Sequence, residues 1–184
     1  MRKKNTFRDF VDVASALVAN GTTSPEKLAI SGRSAGGLLV GASINLAPHL
    51  FKCAVAAVPF VDVMVSMCDA SIPLTTGEWE EWGNPNEAAY FPYMLSYSPM
   101  ENVLGSAGEN LARNARGAES RENGSRRPEL LVTSGLHDPR VAYWEGAKYA
   151  ARMREATTPE ARVLLKTDLD AGHFSASDLS LIHI

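Results

Sequence analysis

LAISGRSAGGLLVG, residues 28–41, decides how the rest of this chain is read. An apolar run ends at Gly32, Ser34 stands two residues on, and a run of small and aliphatic residues begins at Ala35. The first part, KLAISG over 27–32, has the composition and terminal glycine of a buried parallel strand. The second, from Ala35 to Leu46, predicts a helix that Pro48 stops. A serine in the pattern Gly-x-Ser-x-Gly between strand and helix sits on a sharp, strained turn that lifts its hydroxyl above a sheet. Chains can approach that closely only where small residues flank the turn. Gly32, Ala35, Gly36 and Gly37 supply them. The five-residue motif alone is a weak signal, because an ordinary turn can carry it; the strand before it and the helix after it give it weight.

Working outward, Phe7, Phe10, Val11, Val13, Ala14, Leu17 and Val18 recur at helical spacing over 6–19, and Asn20-Gly21 is a stop signal. CAVAAVP (53–59), ELLVTSG (129–135) and ARVLLKT (161–167) read as further buried strands, and 141–156 has helical periodicity. Strands apolar on both faces and alternating with helices predict an α/β fold with a mostly parallel sheet flanked by helices. Residues 60–100 hold prolines, acids and many of the aromatic residues without a clean period, which predicts a functional excursion from the sheet. From 104 to 127 no aromatic or β-branched residue occurs, so a disordered surface insertion is expected there, with a short charged helix as the competing reading.

The chain has 184 residues, 45% hydrophobic and 21% charged, as expected for a single globular domain. Its net charge of −3 gives no basic face for nucleic acid or an anionic membrane and favours a small-molecule or peptide substrate. The N-terminal stretch has positive charge but no apolar core of signal-peptide length, and no run approaches membrane-spanning length, so a cytoplasmic location is expected. Cys53 and Cys68 lack the spacing of a zinc site and are read as reduced packing residues. DLDAGH (168–173) faintly echoes a calcium loop, but its glycine falls one position early and Leu179 stands where the bidentate glutamate belongs; no metal is expected.

A serine hydroxyl is a poor nucleophile at neutral pH and needs a histidine base oriented by a carboxylate, in the chain order Ser, Asp, His for this fold. Asp138 follows a predicted strand, at the end where a parallel sheet places its catalytic side chains. His173 lies in a glycine-flanked loop after the last predicted strand. The backbone N–H of Ala35, at the head of the following helix, can face a developing oxyanion. His49 and His137 rank behind His173 because neither follows the last strand, and Asp170 ranks behind Asp138 because it shares the loop of His173.

KKNTFRDF, GRSAGGLLVGASINLAPHLFK, VPFVDV, IPLTTGEWEEWGNP, YMLSYSP, GLHDPRVAYWE and AGHFSAS resemble the oligopeptidase B branch of the prolyl oligopeptidase family of serine peptidases, over about residues 3–103 and 128–178. The resemblance implies an α/β-hydrolase catalytic domain with Ser34 as nucleophile, Asp138 and His173 completing the triad, and no cofactor. It also implies cleavage of short peptides after Arg or Lys, with Glu78 and Glu80 holding the basic side chain and Arg140 binding the substrate backbone. Carboxylates at fixed geometry suit a guanidinium. Family members are much longer, with a β-propeller that limits substrates to short peptides and first hydrolase strands that have no counterpart here. The segment carrying the family's oxyanion-hole tyrosine also has no counterpart, and LSLIHI (179–184) departs from the family pattern. Residues 1–184 are therefore expected to form part of a peptidase catalytic domain, truncated relative to the family and with an exposed sheet edge. A carboxylesterase and a catalytically inactive fragment are the rival expectations.

Overall fold

The computed structural model describes residues 2–103, 127–157 and 161–174. The elements are α1 (Lys3–Ala19), β1 (Ala29–Arg33), α2 (Ala35–Leu46), β2 (Cys53–Ala57), α3 (Val63–Cys68), α4 (Trp79–Trp82), α5 (Tyr90–Leu95), β3 (Glu129–Gly135), α6 (Tyr143–Ala156) and β4 (Val163–Asp168). The four strands lie in the order β1-β2-β3-β4, every neighbouring pair parallel. Each parallel pair needs a crossover, and α2 and α6 provide two of them. The α/β architecture read from the sequence is thus the observed one.

One face of the sheet carries Ile30, Ala54, Leu130, Val132 and Val163, which pack with Ala14 of α1, Val40 and Ile44 of α2, and Tyr149 and Met153 of α6. Burying these side chains supplies the main driving force for the layered fold. On the opposite face Ser31, Val55, Leu131 and Leu164 stand in register across the four strands, and Leu164 is 55% exposed. Among the described residues β1 pairs with β2 alone and stands at the sheet edge.

β2 ends at Ala57, two residues before the predicted stop, and Val58 is the reason. Its φ of 38° is the left-handed region that a β-branched side chain avoids, and its N–H donates to the Thr133 carbonyl at 2.7 Å. This turn sends Pro59 beneath α2. A Cβ on Gly37 would stand 2.6 Å from the Pro59 Cα, so the sequence needs glycine there for backbone contact. Gly37→Ala is expected to cost about 1–3 kcal/mol through this overlap, measured as a lower melting temperature. Gly32 is required in the same way, because a Cβ there would collide with the Gly36 carbonyl. Gly36 itself faces open space.

Residues 60–100 add no strand to the sheet, in keeping with an excursion, but they are built around a core of their own. Phe60, Val63, Met64, Met67, Trp82, Met94 and Tyr97 join Phe7, Leu38, Ala42 and Val141 in a second hydrophobic core, around which α3, α4 and α5 wrap. Cys68 is exposed at the end of α3, not packed, while Cys53 is half-buried; both thiols are free. The insertion expected at 104–127 lies, apart from Arg127, outside the described residues. No helix among the described residues is long and apolar enough to cross a membrane.

Candidate active site

Ser34, Asp138 and His173 all lie just beyond the carboxyl ends of parallel strands, after β1, β3 and β4 respectively, where open α/β sheets place their sites. Ser34 has φ 53° and ψ −118°, a strained conformation for a non-glycine residue and the one a strand-to-helix elbow imposes. Its backbone is clamped by the turn after β2: its N–H donates to the Ala57 carbonyl at 2.9 Å, and its carbonyl accepts from Phe60 N–H at 3.1 Å. Its side chain is half-exposed, and exposed Ala35 opens α2, where first-turn N–H groups have no intrahelical acceptor.

Asp138 sits in the turn after β3, with its N–H donating to the Gly135 carbonyl at 3.2 Å. Its Oδ1 accepts from the backbone N–H of Arg140 at 2.8 Å and of Val141 at 2.9 Å. That leaves Oδ2, which lies 2.7 Å from His173 Nδ1. The Asp138 side chain is fully buried and the His173 side chain is 6% exposed. Against a carboxylate, which only accepts, Nδ1 is the donor, and in the neutral imidazole that tautomer leaves the lone pair on Nε2. The loop of His173 is held against β3 as well: Leu136 N–H donates to the Asp168 carbonyl at 2.9 Å and His137 N–H to the Ala171 carbonyl at 3.0 Å. Among the described residues no hydrogen bond joins Ser34 Oγ to His173.

The competing candidates fall elsewhere. His49 is exposed beyond α2, at the opposite end of the sheet, and the His137 side chain is exposed while its backbone anchors the loop. Asp170 is exposed and donates its N–H to Asp168 Oδ1 at 3.1 Å. Among the described residues no group of three or more His, Cys, Asp or Glu is placed to hold a metal.

Glu78 and Glu80 flank the start of α4 and, two residues apart, face different surroundings. Glu78 Oε2 accepts from Trp82 Nε1 at 2.8 Å. The Trp82 ring meets Phe60 edge-on with centroids 5.4 Å apart, and Phe60 N–H is the donor to the Ser34 carbonyl, so Glu78 is linked to the elbow through Trp82 and Phe60. Glu80 instead lines a cavity of about 150 Å³ with Arg2, Lys3, Trp82 and Tyr93. Arg140 is exposed beside the Asp138 turn.

Two residues that the sequence did not single out bear on the site, Arg33 by direct contact and Glu145 through the segment after Phe60. The Arg33 guanidinium donates to the His173 carbonyl, and nothing in the sequence marks it beyond its place inside Gly-x-Ser-x-Gly. Glu145 on α6 is 3% exposed and accepts from the N–H groups of Val61 and Asp62, at 3.0 and 2.9 Å, and from Ser66 Oγ at 2.6 Å. Its signal was available: an acid four and eight residues before Tyr149 and Met153 falls on the buried stripe of its helix.

The chain matches the prolyl oligopeptidase family over residues 1–183. It is 46% identical over 175 residues to Protease 2 of Moraxella lacunata, a match covering 95% of this chain and 23% of that protein. It is similar to the structure of oligopeptidase B from Leishmania major, with a TM-score of 0.82 and 53% identity over 96% of this chain and 22% of that one. It is also similar to oligopeptidase B from Trypanosoma brucei with covalently bound antipain, in a closed form, with a TM-score of 0.80 and 54% identity over 95% of this chain and 22% of that one. The chain thus spans less than a quarter of the length of these relatives. An elbow serine, a buried aspartate–histidine pair and a match running from residue 1 to residue 183 lead to one conclusion: the chain belongs to the prolyl oligopeptidase family.

Proposed function

We propose that residues 1–184 are part of the catalytic domain of a serine endopeptidase that cleaves short peptides after Arg or Lys. The observation that carries the reading is the buried Asp138–His173 pair, whose Nδ1 bond leaves Nε2 as a base at the same carboxyl end of the strands as the strained Ser34. The antipain bound covalently to the T. brucei relative supports a nucleophile in the family's site.

In this reading Ser34 Oγ attacks the scissile carbonyl as His173 Nε2 takes its proton, and Asp138 stabilises the imidazolium. The Ala35 N–H faces the oxyanion. The imidazolium then protonates the leaving amine, and water activated by the same nitrogen hydrolyses the acyl-enzyme. The Ser34–His173 hydrogen bond closes on substrate binding, as such bonds commonly do. Glu78 and Glu80 attract the basic side chain, Glu78 through its link to the elbow by way of Trp82 and Phe60. Arg140 holds the substrate backbone.

A matched panel tests this: peptide amides ending in Arg, Lys or Pro, and a small neutral ester, with a fluorophosphonate as active-site label. Turnover of the Arg and Lys substrates ahead of the others supports the reading. Good turnover of the ester with none of the basic peptides would identify an esterase, and absence of both turnover and labelling would leave an inactive chain. Glu78→Gln is expected to lower kcat/KM for the Arg peptide about 100-fold, because the guanidinium loses its charged partner, and to lower ester turnover much less.

A further inference from the structure

We propose that Arg33 is a positioning residue that ties the loop of His173 to the strand of the nucleophile. The proposal rests on the reading of Ser34, Asp138 and His173 as a triad. Arg33 is the last residue of β1 and the immediate neighbour of Ser34, so its backbone moves with the elbow. Its guanidinium donates to the His173 carbonyl, and its central carbon stands 5.1 Å from the centroid of the Phe174 ring. The rings of His173 and Phe174 in turn meet edge-on with centroids 5.3 Å apart.

Asp138 alone cannot set where Nε2 stands. A single hydrogen bond at Nδ1 fixes one point of the imidazole and leaves the distance to Ser34 to the backbone that carries the ring. Upstream that backbone is pinned to the turn after β3 by the His137–Ala171 bond. At His173 itself the tie comes from Arg33, across a cavity of about 160 Å³ lined by Arg33, Val58, Thr133, Lys166, Asp168 and His173. The loop packs closely on Gly135 at Ala171 and Gly172, but beside His173 it borders open space, and there a charged donor on the His173 carbonyl supplies the tie that packing does not. Arginine suits the role because its planar fork donates to the carbonyl while the cation stands over an aromatic ring; a lysine ammonium offers a point charge without the fork.

The test separates the tie from the triad by reading His173 directly. In the full chain, the low-field proton resonance of His173 Nδ1–H is recorded with its rate of exchange with water, alongside the second-order rate of fluorophosphonate labelling at Ser34. Arg33→Met, of similar length and without charge, is expected to speed the exchange and slow the labelling, each by about 10- to 100-fold, with the melting temperature nearly unchanged. Arg33→Lys should fall between the two, and ethylguanidinium added to Arg33→Ala should restore part of the labelling rate. Exchange and labelling within twofold of wild type in both Arg33→Met and Arg33→Lys would overturn the proposal, as would a wild-type chain without the low-field resonance. If Arg33→Met lowers the melting temperature strongly, Arg33→Lys decides by the same two rates. A wild type that shows the resonance but takes no label would sink the triad reading alone, and the exchange rates would still judge Arg33.

Discussion

Ser34→Ala is expected to lower peptide turnover about 10⁶-fold and to abolish fluorophosphonate labelling, and Asp138→Asn to lower turnover about 10⁴-fold, both in a folded chain. The asparagine result follows from how Asp138 is held. Two backbone donors, from Arg140 and Val141, claim Oδ1 and fix the plane of the carboxylate, so Oδ2 must face His173. An asparagine keeps the Oδ1 contacts with its carbonyl and turns its NH₂ towards Nδ1. The imidazole must then accept at Nδ1 and carry its proton on Nε2, the nitrogen that should take the proton of Ser34. Geometry survives and the base is lost. Ser34→Ala removes the proposed nucleophile without relieving the elbow, since alanine at φ 53° is strained much as serine is. Single-turnover kinetics on an Arg-ending peptide measure both; turnover by Asp138→Asn within tenfold of wild type would remove Asp138 from the triad.

The parts of this site written locally in the chain were legible, and those made by distant contacts were not. β3 and α2 follow the predicted ranges because each is a short run whose apolar or small residues declare one period, and because Gly32 and Pro48 punctuate α2. That Asp138 and His173 would both fall just beyond strand ends could be read from the chain, because parallel sheets gather side chains there; their pairing is what the fold adds. The second core was hidden: Phe60, Trp82 and Met94 are buried against Phe7 and Leu38, partners far away in sequence, so residues 60–100 show no period of their own. The exposure of Leu164 escaped for a related reason, since an apolar strand states its hydrophobicity but not what covers each face. Glu78 and Glu80 looked like a matched pair, yet neighbours two apart stand just over half a helical turn from each other, and Glu78 bonds the Trp82 indole N–H while Glu80 lines a cavity with Arg2 and Lys3. Arg33 had no sequence signal, because its partner is a backbone carbonyl 140 residues away.

The largest stability effect is expected at Glu145. This carboxyl gathers the N–H groups of Val61 and Asp62 and the hydroxyl of Ser66, on the segment that follows the donor to the Ser34 carbonyl, and one helical turn on Lys148 pairs with Asp62. Glu145→Ala strands the buried N–H groups of Val61 and Asp62 and the Ser66 hydroxyl, at about 3–5 kcal/mol, or a fall of roughly 10 °C in melting temperature. Glu145→Gln can keep all three contacts, its carbonyl accepting from the two backbone groups and its NH₂ donating to Ser66 Oγ. The two variants also differ from wild type in their response to pH. Burial pushes the Glu145 carboxyl above its ordinary value of 4.5, so the folded chain holds this proton more tightly than the unfolded chain. The stability it contributes is full below the unfolded value and is lost as pH rises through the folded one. Glu101, also raised by burial, acts in the same sense. Melting measured from pH 4 upwards should therefore show wild type weakening as Glu145 ionises, Glu145→Gln with a shallower slope that Glu101 retains, and Glu145→Ala low throughout. If Glu145→Ala melted with wild type at every pH, the clamp between α6 and the segment beside the elbow would hold nothing.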